Sequence, residues 1–340
     1  MLMNQQSSTT GDQAKNRVLS NLWEPYPELI DKLDDVSKRI ESALEGFALA
    51  DGLALLLAQK GKMLRPALLL IGSGYGNPPV NINDAAAAVE MLHIATLLHD
   101  DVLDEAVVRR NVPTLHITAG VKNAVLAGDW LFTRAVLLIA SFLKQNQIKL
   151  LSDITGRICN SEIEQDLRKG KVFLSTRTYL RTIAGKTAAL IALSLRSGAE
   201  LADADPSIKN TLQRLGYNIG MAFQIQDDIL DFIGESSAFQ KSTGKDIREG
   251  ICTLPLIMAL QNACKTDPAV HDFITNLPAL GIGSEAYFCL LVKQYNGIDE
   301  ASRIAERYIQ RAKHEVQKLP ASKETIILMN IINRLAVRTY

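Results

Sequence analysis

Two stretches of this chain, DAAAAVEMLHIATLLH over residues 84–99 and GYNIGMAFQIQ over 216–226, are apolar almost all the way round a helix. A helix with one apolar stripe lies on a core, whereas one that is apolar on every side belongs inside it. Each stretch runs directly into an acidic cluster, Asp100-Asp101-Val102-Leu103-Asp104 and Asp227-Asp228-Ile229-Leu230-Asp231. The fold must therefore bury two helices while leaving their acidic ends open to water or a ligand, because ionised carboxylates sealed in a core are too costly.

Helical periodicity dominates the rest of the sequence, and sustained apolar/polar alternation over strand lengths is absent, so the expected class is all-α. Breaker clusters at 72–83, 198–206, 234–250, 266–268 and 277–283, with Pro320, separate segments of helical length. No composition shift or repeat of 20 to 50 residues divides the chain. Residues 22–340 are expected to form a single helical domain behind a loose polar tail, residues 1–21. That tail lacks the apolar core of a signal peptide, and no run of 18 apolar residues occurs. A soluble, cytoplasmic chain without a transmembrane segment is the expectation. With 37 basic and 37 acidic residues the net charge is zero, which argues against a nucleic-acid partner or binding to an anionic membrane. Cys159, Cys252, Cys264 and Cys289 form no CxxC pair and read as packing or surface thiols.

At 100° per residue, positions i and i+4 share a helix face, so Asp100 with Asp104, and Asp227 with Asp231, can chelate one cation. A single cluster of this kind reads equally well as a solvated acidic run. Two weaken that reading, and Gly234 places the second at a helix C-terminus, where the macrodipole disfavours carboxylates. Hard oxygen ligands without convergent His or Cys point to Mg²⁺, which keeps waters and binds through a few carboxylates plus phosphate oxygens. Six carboxylates on one cavity would hold several Mg²⁺ ions against a phosphorylated leaving group.

Cations accompany each cluster. Arg109-Arg110 follow the first, ahead of a turn-like Asn111–Thr114 that stops the helix, and can grip phosphate oxygens bidentately. Upstream, Gly61-Lys62-Met63-Leu64-Arg65-Pro66 carries a Lys/Arg pair whose i,i+3 spacing sets both on one helical face. Lys186-Thr187 open an Ala/Leu-rich helix, and the glycine-spaced loop Lys241–Asp246 has the character of a closing flap. His93, two turns before Asp100, reads more simply as a core histidine, and no Ser/His/Asp or Cys/His set is evident.

These residues, in this order, resemble the all-trans polyprenyl diphosphate synthases, relatives of farnesyl diphosphate synthase. The likeness runs from GKMLRP through EMLHIATLLHDDVLDEAVVRRNVPT, GDWLF, EIEQ, GKTAAL and GMAFQIQDDILDF to TGKDIREG. It implies a bundle of long antiparallel helices around a deep cavity, with the two aspartate motifs facing each other at its mouth. It also implies that Asp100, Asp101, Asp104, Asp227, Asp228 and Asp231 bind two to three Mg²⁺ ions. Lys62, Arg65, His93 and Arg110 match positions that bind isopentenyl diphosphate; Arg109, Lys186, Thr187, Gln224 and Lys241 match those that bind the allylic diphosphate. The implied reaction ionises the allylic C–O bond, lets the isopentenyl double bond attack the cation, and passes a C2 proton to the departing diphosphate. Asp100, Asp101, Asp104, Arg109, Lys186, Asp227, Asp228 and Lys241 would carry the catalysis. A homodimer is implied, or a heteromer with a small subunit, with peripheral membrane contact for product release.

One departure is Gly250-Ile251-Cys252-Thr253-Leu254-Pro255, where relatives often have Gly-Lys-x-Thr-Leu-Pro. The missing lysine favours, as an alternative, the large subunit of a two-component synthase inactive by itself. A class I terpene cyclase is a weaker alternative, since the second motif is a full DDILD. Ala95 and Thr96 lie five and four residues before Asp100, roughly 6 to 7.5 Å down the helix. Short-chain relatives typically carry an aromatic there, so a product longer than C20, in the range C30 to C40, is expected.

Overall fold

The computed structural model describes residues 22–53, 62–109, 112–140, 145–172, 175–233, 244–266 and 280–336. In chain order the elements are α1 (Pro27–Ala43), α2 (Leu64–Ser73), α3 (Ile82–Leu103), β1 (Val108–Arg109), β2 (Val112–Pro113), α4 (Leu115–Ala119), α5 (Val121–Ala140) and α6 (Gln145–Asp166). They continue with α7 (Thr176–Ile183), a π-turn (Ala184–Ala188), α8 (Ala189–Leu201), α9 (Pro206–Ile233), α10 (Lys245–Arg248), α11 (Leu254–Thr266), α12 (Glu285–Gln294), α13 (Gly297–Val316) and α14 (Lys323–Ala336). Among the described residues the only sheet is the two-residue β1/β2 ladder, so the all-α expectation holds.

The chain gathers into two compact units, one of Met1–Ala67 with Asn83–Leu138, the other of Leu68–Ile82 with Ile139–Tyr340. In the first, the apolar stretch of α3 is buried as its sequence requires: Ala85 to Ala88, Met91, Leu92, Ala95 and Leu98 are all in the core. Arg39 on α1 bonds both Asp35 (2.7 Å) and Asp84, and Asn83 donates to Asp35 (2.7 Å), tying α1 to the start of α3. Gly128 of GDWLF lies against His99, and a Cβ there would come within 2.2 Å of the ring. A side chain at 128 would therefore push α5 off α3. α5 is also the one described helix long and apolar enough to cross a membrane, with a third of its apolar window buried. Val121, Val125, Leu126 and Leu137 form its exposed apolar positions.

In the second unit α9 packs on α8 and on α13. The approach to α8 is close because Gly216 and Gly220 face Ala192 and Ala188; added Cβ atoms would lie 2.7 Å and 2.6 Å from those Cα atoms. α13 offers a regular stripe, Ala301, Ile304, Ala305, Tyr308, Ile309, Ala312 and Val316, with charged residues between.

The cysteines behave as the sequence led us to expect: all four are free thiols. Burial pushes the Cys252 thiol up to about 12, so at pH 8 only about one molecule in ten thousand carries its thiolate. Exposed Cys159 is therefore expected to be alkylated by iodoacetamide long before Cys252, which should react only on unfolding. Peptide mapping of a timed alkylation checks this.

Candidate active site

In the first unit α3 delivers the first acidic motif at its C-terminal end. Asp101 is only 2 % exposed, whereas Asp100 and Asp104, one turn apart, remain half-buried. After the helix stops, the chain doubles back through β1, and Arg109 Nε reaches Asp101 Oδ1 at 2.7 Å. Thr114 holds the returning strand by donating to Ala106 O at 2.6 Å. Arg109 thus meets the motif itself, as an ion-pair partner of its middle aspartate. Arg110 lies outside the described residues.

The pair in GKMLRP is arranged differently from the expected single helical face. Met63 has φ of 46°, α2 begins only at Leu64, and Lys62 precedes the helix, its carbonyl accepting the Trp23 indole N–H at 2.8 Å. The i,i+3 argument fails because it presumes a helix through both residues. Arg65 does sit in the first turn of α2, with its Nε buried and without a hydrogen-bond partner. Burial pulls that guanidinium below the usual arginine value, and Glu90 opposes the fall. His93 and Thr96 share one turn of α3, the Thr96 hydroxyl donating to His93 O at 2.8 Å. Ala95 is 3 % exposed and Thr96 half-buried, so of this pair Thr96 is the more accessible.

In the second unit the pattern at the end of α9 is parallel. Asp228 is 5 % exposed, Asp227 is exposed and Asp231 half-buried. Asp228 accepts from Tyr179 Oη (2.5 Å) and from Gln224 Nε2 (2.8 Å), and the Gln224 carbonyl oxygen accepts from Thr187 Oγ1 (2.7 Å). Lys186, beside Thr187 in the π-turn, pairs with Glu162 at 2.8 Å. Asp231 accepts the backbone N–H groups of Lys245 and Asp246, each at 3.2 Å, which draws the start of α10 onto the motif. Lys241 lies outside the described residues.

Burial pushes the Asp228 carboxyl up to about 7; the charges of Asp227 and Asp231 add to the rise, and the Tyr179 and Gln224 hydrogen bonds oppose it. Asp246 is held well above the ordinary carboxylate value by burial and by Asp228 and Asp231. Among the described residues no three His, Cys, Asp or Glu side chains enclose a metal by themselves. The donor set nevertheless suits one: carboxylate oxygens crowded enough that their neighbours raise Asp228 and Asp246, with Lys245 the cation that opposes the rise at Asp246. A hard divalent ion that completes its shell with water and phosphate oxygens fits such a half-built site. A separate cavity of about 1110 Å³ in this unit, walled by Arg157, Arg181, Arg196 and Tyr217, contains none of the residues read from the sequence as site residues.

A family model described as polyprenyl synthetase matches residues 48–278, about two thirds of the chain. The chain belongs to that family. Heptaprenyl diphosphate synthase component 2 of Geobacillus stearothermophilus is 32% identical over 319 residues, 93% of this chain and 98% of that protein. Geranylgeranyl pyrophosphate synthase of Lactobacillus brevis is 32% identical in structure-based alignment, with a TM-score of 0.84 over 92% of this chain and 98% of its own. Polyprenyl synthase of Caulobacter crescentus, solved with calcium and isoprenyl diphosphate, is 30% identical with a TM-score of 0.83 over 93% and 97% of the two chains. The protein is a prenyltransferase of this polyprenyl synthetase family, with the isoprenoid synthase helical fold.

Three residues of the site escaped the sequence reading. Glu162 stood within EIEQ and was signalled only by that motif; Asp246 stood in the flap loop, where a lone Asp beside Lys245 looks solvated. Tyr179 carried no signal, because it meets Asp228, 49 residues away on α9, only through tertiary packing. Ile251 is half-buried, and its N–H donates to Asp246 O at 2.7 Å. The position where relatives often have lysine is thus tied to the acidic site through the backbone.

Proposed function

We propose that this polyprenyl synthetase condenses isopentenyl diphosphate with an allylic diphosphate and releases inorganic diphosphate. The observation that carries the reading is the shared design of the two motifs. In each, the middle aspartate is buried and held by the protein, Asp101 by Arg109 and Asp228 by Tyr179 and Gln224. The i,i+4 pair in each stays reachable: Asp100 with Asp104, Asp227 with Asp231.

The six aspartates, joined by Asp246, are assigned to Mg²⁺, two to three ions in all, which when bound supplies positive charge against the diphosphate that leaves. Lys186, Arg109, Thr187, Gln224 and Lys241 hold the allylic diphosphate, and Lys62, Arg65, His93 and Arg110 hold isopentenyl diphosphate. The buried Arg65 Nε, which has no hydrogen-bond partner, supports an anion there, since a buried donor calls for an acceptor. No described side chain is needed as base, because the departing diphosphate takes the C2 proton.

The product is proposed to be C30 to C40. Thr96→Phe is expected to shorten it by at least one five-carbon unit. Ala95→Phe, at an enclosed position, should also cost about 1–3 kcal/mol of stability. Chromatographic sizing of the dephosphorylated products, with thermal denaturation of both variants, checks this; unchanged length in both would place the growing chain elsewhere.

We assign the work to the cytoplasm and to a homodimer in which α5 supplies the apolar face, Val121, Val125, Leu126 and Leu137 being exposed among the described residues. A second reading, a catalytic subunit that needs a smaller partner, is favoured by Ile251 and by the likeness to a protein named as component 2. Incubating the purified chain alone with Mg²⁺, an allylic diphosphate and labelled isopentenyl diphosphate decides between them. Labelled polyprenyl products support the first reading; elongation that appears only on adding a partner chain supports the second; none under either condition overturns both.

A further inference from the structure

Tyr179 stands outside every motif, yet it makes the shortest contact in the second acidic site. In an unbroken α-helix Thr187, eight residues further on, would stand about 80° round from Tyr179. The π-turn over Ala184–Ala188 takes up one extra residue, so Thr187 comes to where a residue seven on would be, about 20° away. Gly185 permits this: α6 presses so near that an added Cβ would lie 1.8 Å from Ser161 Oγ. Tyr179 and Thr187 then both face α9, where Gln224 and Asp228 are four residues apart on one side. Both oxygens of Asp228 are thereby taken, one directly by the Tyr179 hydroxyl, the other by the Gln224 amide that Thr187 orients. Tyr179, Thr187 and Asp228 are 6, 7 and 5 % exposed, so water does not substitute for a lost donor.

We infer that Tyr179 is a positioning residue of the second aspartate motif, its hydroxyl and the Thr187–Gln224 pair together pinning the Asp228 carboxylate and so setting how tightly the motif takes a divalent cation. The inference rests on the Mg²⁺-diphosphate reading proposed above and extends it beyond the motif. Partners one shell out from a metal ligand typically carry 10–100-fold in metal affinity.

The test uses Tyr179→Phe and Thr187→Val in the full-length chain, with Asp227→Ala as reference, each first shown folded by circular dichroism. Mn²⁺ binding in the presence of inorganic diphosphate, followed by electron paramagnetic resonance, reads the site without turnover. Tyr179→Phe is expected to weaken Mn²⁺ roughly tenfold and Thr187→Val by a smaller factor. Tyr179→Phe should raise half-saturating Mg²⁺ in the assay to match, with kcat at saturating Mg²⁺ within about threefold of the parent. A purely structural tyrosine would lower thermal stability and leave Mn²⁺ affinity unchanged, and that result in folded Tyr179→Phe overturns the inference. If Tyr179→Phe does not fold, unchanged Mn²⁺ affinity in Thr187→Val overturns it. If Asp227→Ala itself binds Mn²⁺ and turns over normally, the underlying Mg²⁺ reading fails; if Asp227→Ala loses both while Tyr179→Phe loses neither, only the positioning role fails.

Discussion

Asp227→Ala is expected to lower kcat/KM for prenyl transfer about a thousandfold, equivalent to about 4 kcal/mol of transition-state stabilisation. Asp227 is the exposed member of its motif and shares a helix face with Asp231, itself fixed by the N–H groups of Lys245 and Asp246. Removing it halves the i,i+4 pair at the point where charge on the leaving diphosphate has to be met, and metal-borne charge stabilisation is worth several kcal/mol. The fold should survive the change. Asp227 helps raise the Asp228 carboxyl, so its loss relieves repulsion, and the metal-free variant should melt no lower than the parent. A kinetic collapse with an intact melting curve is the expected pair of results; near-parent turnover would remove Asp227 from the machinery.

Gly220→Val should produce the largest loss of stability. The first atom of any side chain at 220 would stand 2.6 Å from Ala188 Cα and 3.0 Å from its Cβ. Ala188 closes the π-turn, so the backbone cannot yield without drawing Thr187 away from Gln224 on α9. Overpacking of this kind costs about 3 kcal/mol, a fall of roughly 4 °C in melting temperature for a chain of this size. Gly220→Ala should show the same direction at smaller size, and both should weaken diphosphate binding. A valine variant that melts with the parent would mean that α8 and α9 are not in such close contact.

What could be read from the sequence depended on how local each feature was. The burial of residues 84–99 follows from an apolar pattern on all sides, and it is what the structure contains. The acidic clusters at the ends of α3 and α9 were equally plain, since i and i+4 along one helix need no tertiary knowledge. The π-turn was not legible: at its Gly185 α6 comes so near that there is no room for a side chain, a contact between segments 24 residues apart. Tyr179 and Asp246 were hidden for the same reason, each meeting the second motif only through tertiary packing. Lys62 and Arg65 were misread as one helical face because Met63 adopts a left-handed φ that a spacing rule does not anticipate.

The central claim, that the two motifs serve elongation and not another fate of an allylic cation, is tested most directly by stoichiometry. Inorganic diphosphate released and labelled isopentenyl units incorporated should be counted in the same reaction with Mg²⁺ present. The expected result is one diphosphate released for each five-carbon unit gained, with both quantities falling to background when the metal is chelated. Diphosphate released from the allylic substrate without incorporation, the outcome expected of a cyclase, would contradict it.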